Sequence, residues 1–234
     1  MTAPRLAIVG DGKMGRLLHA LALEQGEVVT AFLGRDDVLR AGLTTATLRG
    51  ATVAIEFTEP SAAADNVRAC LAAGCAVVCG TTGWDAARIE VEDEVMTSGG
   101  ALLWAPNFSL GMHIFTALVA QAARRAHAAG GFEAAIIETH HAAKLDAPSG
   151  TARLLSRVAE QASGEPVPIT SVRVGAVPGT HELVIDGAFE QVRLVHEARD
   201  RRVFALGALA AARWLAGRRG VFTLDDMLAA PEEG

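Results

Sequence analysis

The stretch Arg5-Leu6-Ala7-Ile8-Val9-Gly10-Asp11-Gly12-Lys13-Met14-Gly15 decides the fold. Arg5 to Val9 is a short apolar run of strand length. From Met14 to Gln25 the apolar residues recur at helical spacing, and Gly26 ends that run. Glycines 10, 12 and 15 between them have the spacing GxGxxG. Many ordinary turns carry that spacing. Between a strand and a helix it predicts a tight turn whose backbone meets a pyrophosphate at the positive helix end. Gly10, Asp11, Gly12, Lys13, Met14 and Gly15 are therefore expected to hold a dinucleotide.

Downstream, strands and helices alternate. Glu27 to Leu33, Val53 to Phe57, Ala76 to Cys79 and Ala101 to Trp104 read as strands. A helix capped by Ser61 is expected to run to about Ala73, with Gly74 as its stop, and another from about Trp84 to Met96. Such alternation predicts an α/β fold with an amino-terminal, Rossmann-like, doubly wound parallel sheet. The second half differs. A long helix, about Leu110 to Ala128, precedes a strand from Phe132 to Thr139. A helix from Thr151 to about Gln161 follows, then strand-like runs Ser171 to Val174, His181 to Asp186 and Gln191 to Ala198. Successive strands predict a smaller α+β domain with a mixed or antiparallel sheet. The expected division is 1–108 with 203–234 for the dinucleotide and 109–202 for substrate and oligomerisation. The final helix, Arg202 to Ala216, would return the chain to the first domain.

Composition sets limits. The 234 residues are half hydrophobic and carry a net charge of −6, with no basic block for nucleic acid. The apolar run at Leu6 to Val9 is too short for a signal peptide, and no stretch suits a bilayer, so a cytoplasmic protein is expected. The clustered Cys70, Cys75 and Cys79 read as buried small hydrophobes, and no metal site is expected from their spacing. Without tyrosine, no phenol can act as the acid. Of 21 lysines and arginines, only Lys13 and Lys144 are lysine, the cation that readily gives up a proton.

Lys144 lies in Glu138-Thr139-His140-His141-Ala142-Ala143-Lys144-Leu145-Asp146-Ala147-Pro148-Ser149-Gly150-Thr151. His140, His141 and Lys144 offer proton donors within five residues. Ser149, Gly150 and Thr151 start a helix, where hydroxyls and free amides suit a carboxylate. The segment reads either as an acid–base cluster beside an anion cradle or as a capped helix after strand-end histidines. Zinc is a weaker third reading, because no familiar ligand spacing is completed. Cofactor choice is expected to turn on Leu33-Gly34-Arg35. Arg35, with Lys13, can pair with the 2′-phosphate of NADPH, or else it is a solvated loop residue. The reading favours NADPH, with NADH also accepted.

The segment Glu138 to Thr151 resembles the signature of the dihydrodipicolinate reductase (4-hydroxy-tetrahydrodipicolinate reductase) family. Glu56-Phe57-Thr58-Glu59-Pro60, Gly80-Thr81-Thr82-Gly83, Ala105-Pro106-Asn107-Phe108-Ser109, Arg173-Val174-Gly175, Gly179-Thr180-His181 and Phe204 to Ala208 extend the likeness over nearly the whole chain. The resemblance implies NAD(P)H-dependent reduction of a cyclic unsaturated dicarboxylate to tetrahydrodipicolinate in diaminopimelate and lysine biosynthesis. It implies that His140 donates or accepts a proton and that Lys144 donates one. It implies that His141, Ser149, Gly150 and Thr151 bind substrate. Gly10 to Gly15, Gly80, Thr81, Thr82, Ala105, Pro106, Asn107 and Phe108 would line the cofactor, and the assembly would be a homotetramer. The chain departs from the family in a glycine loop one residue shorter, in Gly34 at a position often acidic, and in a trimmed stretch between Leu33 and Val53. A related amino-acid dehydrogenase is the nearest rival. A dinucleotide-binding protein without catalysis is the rival from another class, and it gives no reason for the proton donors.

Overall fold

The computed structural model describes residues 3–229, which form two compact units. One takes in the described residues up to Ser109 and those from Arg202 onward. The other is Leu110–Arg201.

In the first unit, strands β1 (Arg5–Val9), β2 (Val28–Leu33), β3 (Val53–Glu56), β4 (Ala76–Cys79), β5 (Ala101–Trp104) and β10 (Gly220–Phe222) form one sheet. Its order is β10-β5-β4-β3-β1-β2, and every pairing is parallel. Parallel strands need helical crossovers, and here α1 (Lys13–Glu24), α3 (Pro60–Ala72), α4 (Asp85–Ser98) and α7 (Arg202–Leu215) pack on the sheet. All four residues of β3 are buried, as expected for a strand covered on both faces. Leu6, Ile8 and Ile55 are wholly buried, each contributing roughly 1.5–3 kcal/mol of transfer free energy. The chain leaves β1 toward β2 on one side and returns to β3 on the other. The turns after β1 and β3 thus flank the place where strand order reverses, where open α/β sheets bind ligands.

Three local expectations change. Helix α2 (Arg35–Ala41) lies where no element was expected; it buries none of its residues, so it leaves no apolar periodicity to read. Helix α3 begins at Pro60 with Glu59 as its cap, not at Ser61. Proline's fixed φ and missing N–H suit the first helical position. The three-residue β10 is too short to show a period and is held by pairing with β5.

In the second unit, β6 (Phe132–His140), β7 (Ile169–Arg173), β8 (Thr180–Gly187) and β9 (Gln191–Glu197) form a mixed sheet in the order β7-β6-β8-β9. β6 runs parallel to β7 and antiparallel to β8. Helices α5 (Leu110–Ala129) and α6 (Gly150–Ser163) cover one face, around Met112, Phe115, Val119, Ile136, Leu155 and Leu183.

In the first unit, α7 approaches the turn after β5 so closely that a Cβ at Gly207 would lie 1.8 Å from the Phe108 carbonyl oxygen. Helix propensity alone would make Gly207→Ala more stable by about 1 kcal/mol. The steric conflict is predicted to dominate and to destabilise by about 3 kcal/mol, measured by denaturant unfolding. A stabilised Gly207→Ala protein would contradict this packing.

Candidate active site

In the first unit, the glycines act through space. Gly10 has φ of +108°, and a Cβ there would lie 2.1 Å from the Phe57 carbonyl oxygen. A Cβ at Gly15 would lie 1.7 Å from the Gly10 carbonyl oxygen, which locks α1 against the loop. Gly12, by contrast, faces open space and caps α1 with no side-chain hydrogen bond. No acidic residue occupies the first turn of α1. The start of α1 thus has no side-chain cap and no acidic residue within its first turn, which suits a pyrophosphate. Lys13 and Met14 form the first turn of that helix.

A buried carboxylate organises the neighbouring turns. Glu56, at the end of β3, accepts from the hydroxyls of Thr58 and Thr81 (2.6 Å for Thr81), from Asn66 at 3.3 Å and from the Cys79 thiol at 3.2 Å. Burial and Glu56 together push the Cys79 thiol well up, so it stays protonated and donates. The Thr81 carbonyl accepts from both Trp84 and Trp104. Thr81 is buried and its polar atoms are spent internally, whereas Thr82 is exposed. A side chain at Gly80 would strike the Phe57 ring. Ala105 and Phe108 are buried, Pro106 is exposed, and the Asn107 side chain accepts from the Ser109 amide at 2.8 Å. Arg35 opens α2, is largely exposed and pairs with Glu59 at 3.5 Å.

The signature segment lies in the second unit. Alternation along β6 turns Ile136, Glu138 and His140 to the buried face. Register then supplies partners: His181 on β8 stands opposite Glu138, and Arg173 on β7 opposite His140. Glu138 is wholly buried. Its Oε1 accepts from Arg173 at 2.7 Å and from the Ser149 amide at 3.3 Å, and its Oε2 pairs with His140 Nδ1. Burial alone would raise the Glu138 pKa, but the hydrogen bonds from Arg173 and His140 hold it down at about 2. Arg173 also donates to the Asp146 carbonyl at 2.6 Å, tying the loop after β6 to β7.

An ionised Glu138 fixes the tautomer of its neighbour. His140 donates from Nδ1, so the neutral ring carries its unprotonated nitrogen at Nε2. Nε2 lies beside Gly179, where a Cβ would come within 3.1 Å. Burial lowers the His140 pKa despite Glu138, and Lys144 and Arg173 lower it further. His181 packs edge-on to His140, with ring centroids 5.1 Å apart, and its Nε2 meets Ser149 Oγ at 3.4 Å. Lys144 is partly buried and donates to Asp146 at 2.7 Å, which lowers the Asp146 pKa.

Ser149 caps α6, its Oγ accepting from the Ala152 amide at 3.1 Å. The amides of Gly150 and Thr151 then remain as helix-terminal donors with no intrahelical acceptor. His141 is half-buried directly after β6. The structure thus brings His140, Lys144, Ser149, Gly150 and Thr151 into one strand–loop–helix unit. Four residues outside the expected set support these sites: Glu56, Glu138, Arg173 and His181. The i, i+2 spacing of Glu138 and His140 on a strand was a signal for Glu138.

Glu138, His140 and His181 bring ligand atoms within 4.8 Å of one another. Both Glu138 oxygens are already hydrogen-bonded, to Arg173, the Ser149 amide and His140. The cluster reads as a hydrogen-bonded network of a buried carboxylate and two imidazoles.

Burial pushes the His181 pKa down from 6.5 to about 4, with neighbouring His140 adding to the shift. Between those values the unfolded chain binds the proton and the native site does not, so stability falls as pH falls. The loss from pH 6.5 to 4 should be roughly 3 kcal/mol. Glu138, lowered from 4.5, adds a further loss below pH 4.5. Denaturant unfolding across this range should show a shallower slope for His181→Gln than for the unaltered protein. Equal slopes would contradict a buried neutral His181.

Residues 4–108 match the family model described as dihydrodipicolinate reductase, N-terminus, and residues 111–228 match its C-terminal counterpart. The 4-hydroxy-tetrahydrodipicolinate reductase of Stenotrophomonas maltophilia (strain R551-3) is 38% identical, covering 97% of this chain and 98% of its own. The enzyme of that name from Christiangramia forsetii is 32% identical over 95% and 97%. Dipicolinate-bound dihydrodipicolinate reductase from Paenisporosarcina sp. TG-14 shares the fold, with a TM-score of 0.78, 21% identity, and coverage of 95% of this chain and 98% of that one. From the glycine turn after β1 to the signature joining β6 and α6, the chain belongs to the dihydrodipicolinate reductase family.

Proposed function

We propose that this protein is an NAD(P)H-dependent oxidoreductase that reduces a 4-hydroxy-tetrahydrodipicolinate-derived ring to tetrahydrodipicolinate, in the diaminopimelate branch of lysine biosynthesis. The observation that carries this reading is the segment Glu138–Thr151. There, an oriented histidine and a lysine precede a capped helix start whose amides suit a carboxylate.

A reduced nicotinamide supplies the hydride when bound. The residues of the first unit that hold it are Gly10 to Gly15, with Gly80 to Thr82 and Ala105 to Phe108 shaping the turns alongside. Thr81 acts through its bonds to Glu56 and Thr58. In the NADPH reading the cations are Lys13 at the start of α1 and Arg35, which is largely exposed and lies 3.5 Å from Glu59.

Hydride addition to an unsaturated ring leaves an electron pair that must take up a proton. Lys144 Nζ is the donor in this reading. With Nδ1 held by Glu138, His140 works through Nε2, accepting a hydrogen bond when neutral and donating one when protonated. Gly150 and Thr151 receive a substrate carboxylate through their amides and the helix dipole, and His141 flanks it. Ser149 positions this cradle rather than touching substrate, because its hydroxyl caps Ala152 and meets His181.

A homotetramer built on the second unit's sheet completes the reading. Val172, Val174, Val192 and Val195 are exposed on and beside β7 and β9, apolar surface of the kind that partners cover. Among the described residues no helix is long and apolar enough to cross a membrane, which fits a cytoplasmic enzyme.

The test generates the substrate in situ with the preceding synthase and follows NADPH and NADH absorbance. Lys144→Ala and His140→Ala should each lower kcat by about a hundredfold or more, with dinucleotide affinity retained. Undiminished turnover in both variants would overturn the assignment.

A further inference from the structure

The end of β2 lacks the acidic residue that usually holds the adenosine ribose of NADH, and Gly34 stands there instead. The space beside Gly34 is not vacant. A Cβ built on it would lie 2.7 Å from Asp11 Cγ and 2.8 Å from Asp11 Oδ2. A carboxylate from the glycine loop therefore sits where the side chain of residue 34 would begin. Its own side chain is about half exposed, 51%, with Arg16 the nearest cation at 3.9 Å, so it remains open to a ligand.

We propose that Asp11 takes over the work of the missing β2 acid and makes this protein prefer NADH. The inference rests on the dinucleotide-dependent reading above and deepens it. A ribose 2′-hydroxyl can donate to the Asp11 carboxylate, a strong charge-assisted bond. The 2′-phosphate of NADPH would instead bring a second anion against it.

Several nearby groups that could meet a phosphate already have partners. The Gly34 amide donates to Asp37 Oδ2 at 3.0 Å. Arg35 pairs with Glu59 at 3.5 Å. Asp36 and Asp37 add negative charge to the first turn of α2, and Asp37 lies 3.9 Å from Arg40. Of the cations nearby, Arg16 is held by the Asp11 backbone carbonyl at 2.7 Å as well as by its carboxylate. The shortened glycine loop thus carries the ribose-binding acid on the loop itself, within reach of the same place in space.

Binding alone tests this. NADH and NADPH are each titrated against the full-length protein, with nicotinamide fluorescence giving a Kd for each binary complex. The unaltered protein should bind NADH about tenfold or more tightly than NADPH, the worth of one hydrogen bond to a charged group. Asp11→Ala should shift the Kd ratio toward NADPH by about tenfold or more. The double variant Asp11→Ala/Gly34→Glu should restore the preference for NADH, because it returns the carboxylate from the β2 side. That rescue would not follow if Asp11 merely braced the loop. Tighter NADPH binding by the unaltered protein, or an unmoved ratio in Asp11→Ala, would overturn the assignment of Asp11 while leaving the reductase reading intact. Failure to bind either dinucleotide would overturn both.

Discussion

One carboxylate, Glu138, holds the second unit's site together. It is wholly buried, so its charge would be intolerable unpaired. Arg173, the Ser149 amide and His140 supply the partners, and each comes from a different piece of chain: β7, the start of α6 and β6 itself. Satisfying one charge therefore fixes a strand register, a loop end and a histidine tautomer together. Removing a partner would leave a buried charge exposed to its full desolvation cost, which is why breaking such a pair is far more damaging than the pair is stabilising. The loop carrying Lys144 is pinned at Asp146 by the same arginine. His140, the loop carrying Lys144 and the start of α6 are thus placed by one electrostatic requirement.

The first unit solves a similar problem in a similar way. Glu56 ends β3 as a buried acid, and hydroxyls from the turns after β3 and β4, an amide from α3 and a thiol from the end of β4 converge on it. Those turns frame the glycine loop. The loop itself is shaped by steric necessity, since Gly10 and Gly15 leave no room for a side chain. In both units, then, a buried carboxylate near a strand end gathers the neighbouring turns and loops. A preorganised site of this kind needs little reorganisation when charge develops during reaction.

Much of this was legible in the sequence, and the remainder was not for identifiable reasons. The strand, GxGxxG turn and helix from Arg5 to Gln25 announced the parallel sheet through local spacing alone. The change to successive strands after Phe132 announced the mixed sheet. Helix α2 was invisible because it buries nothing, and the β10 strand because three residues carry no period. At the site, His140, Lys144 and Ser149 to Thr151 stood out as a rare cluster. Arg173 and His181 could not be joined to them by spacing, because only the β6–β7 and β6–β8 registers bring them together. The nearness of Asp11 to Gly34 is likewise a fact of β1 and β2 lying side by side, with the glycine turn folding back on the β2 end.

The central claim is that Glu138 fixes the proton on His140 Nδ1 and leaves Nε2 for chemistry. Nitrogen-15 NMR of the histidine side chains, with His140 assigned through its absence in His140→Gln, reads that proton directly. At neutral pH the account predicts a neutral His140 with Nδ1 protonated and Nε2 bare, titrating below 6.5. It predicts that Glu138→Gln relaxes the tautomer toward the mixture of a free imidazole. A His140 protonated on Nε2 alone at neutral pH, or a tautomer unmoved by Glu138→Gln, would contradict the account.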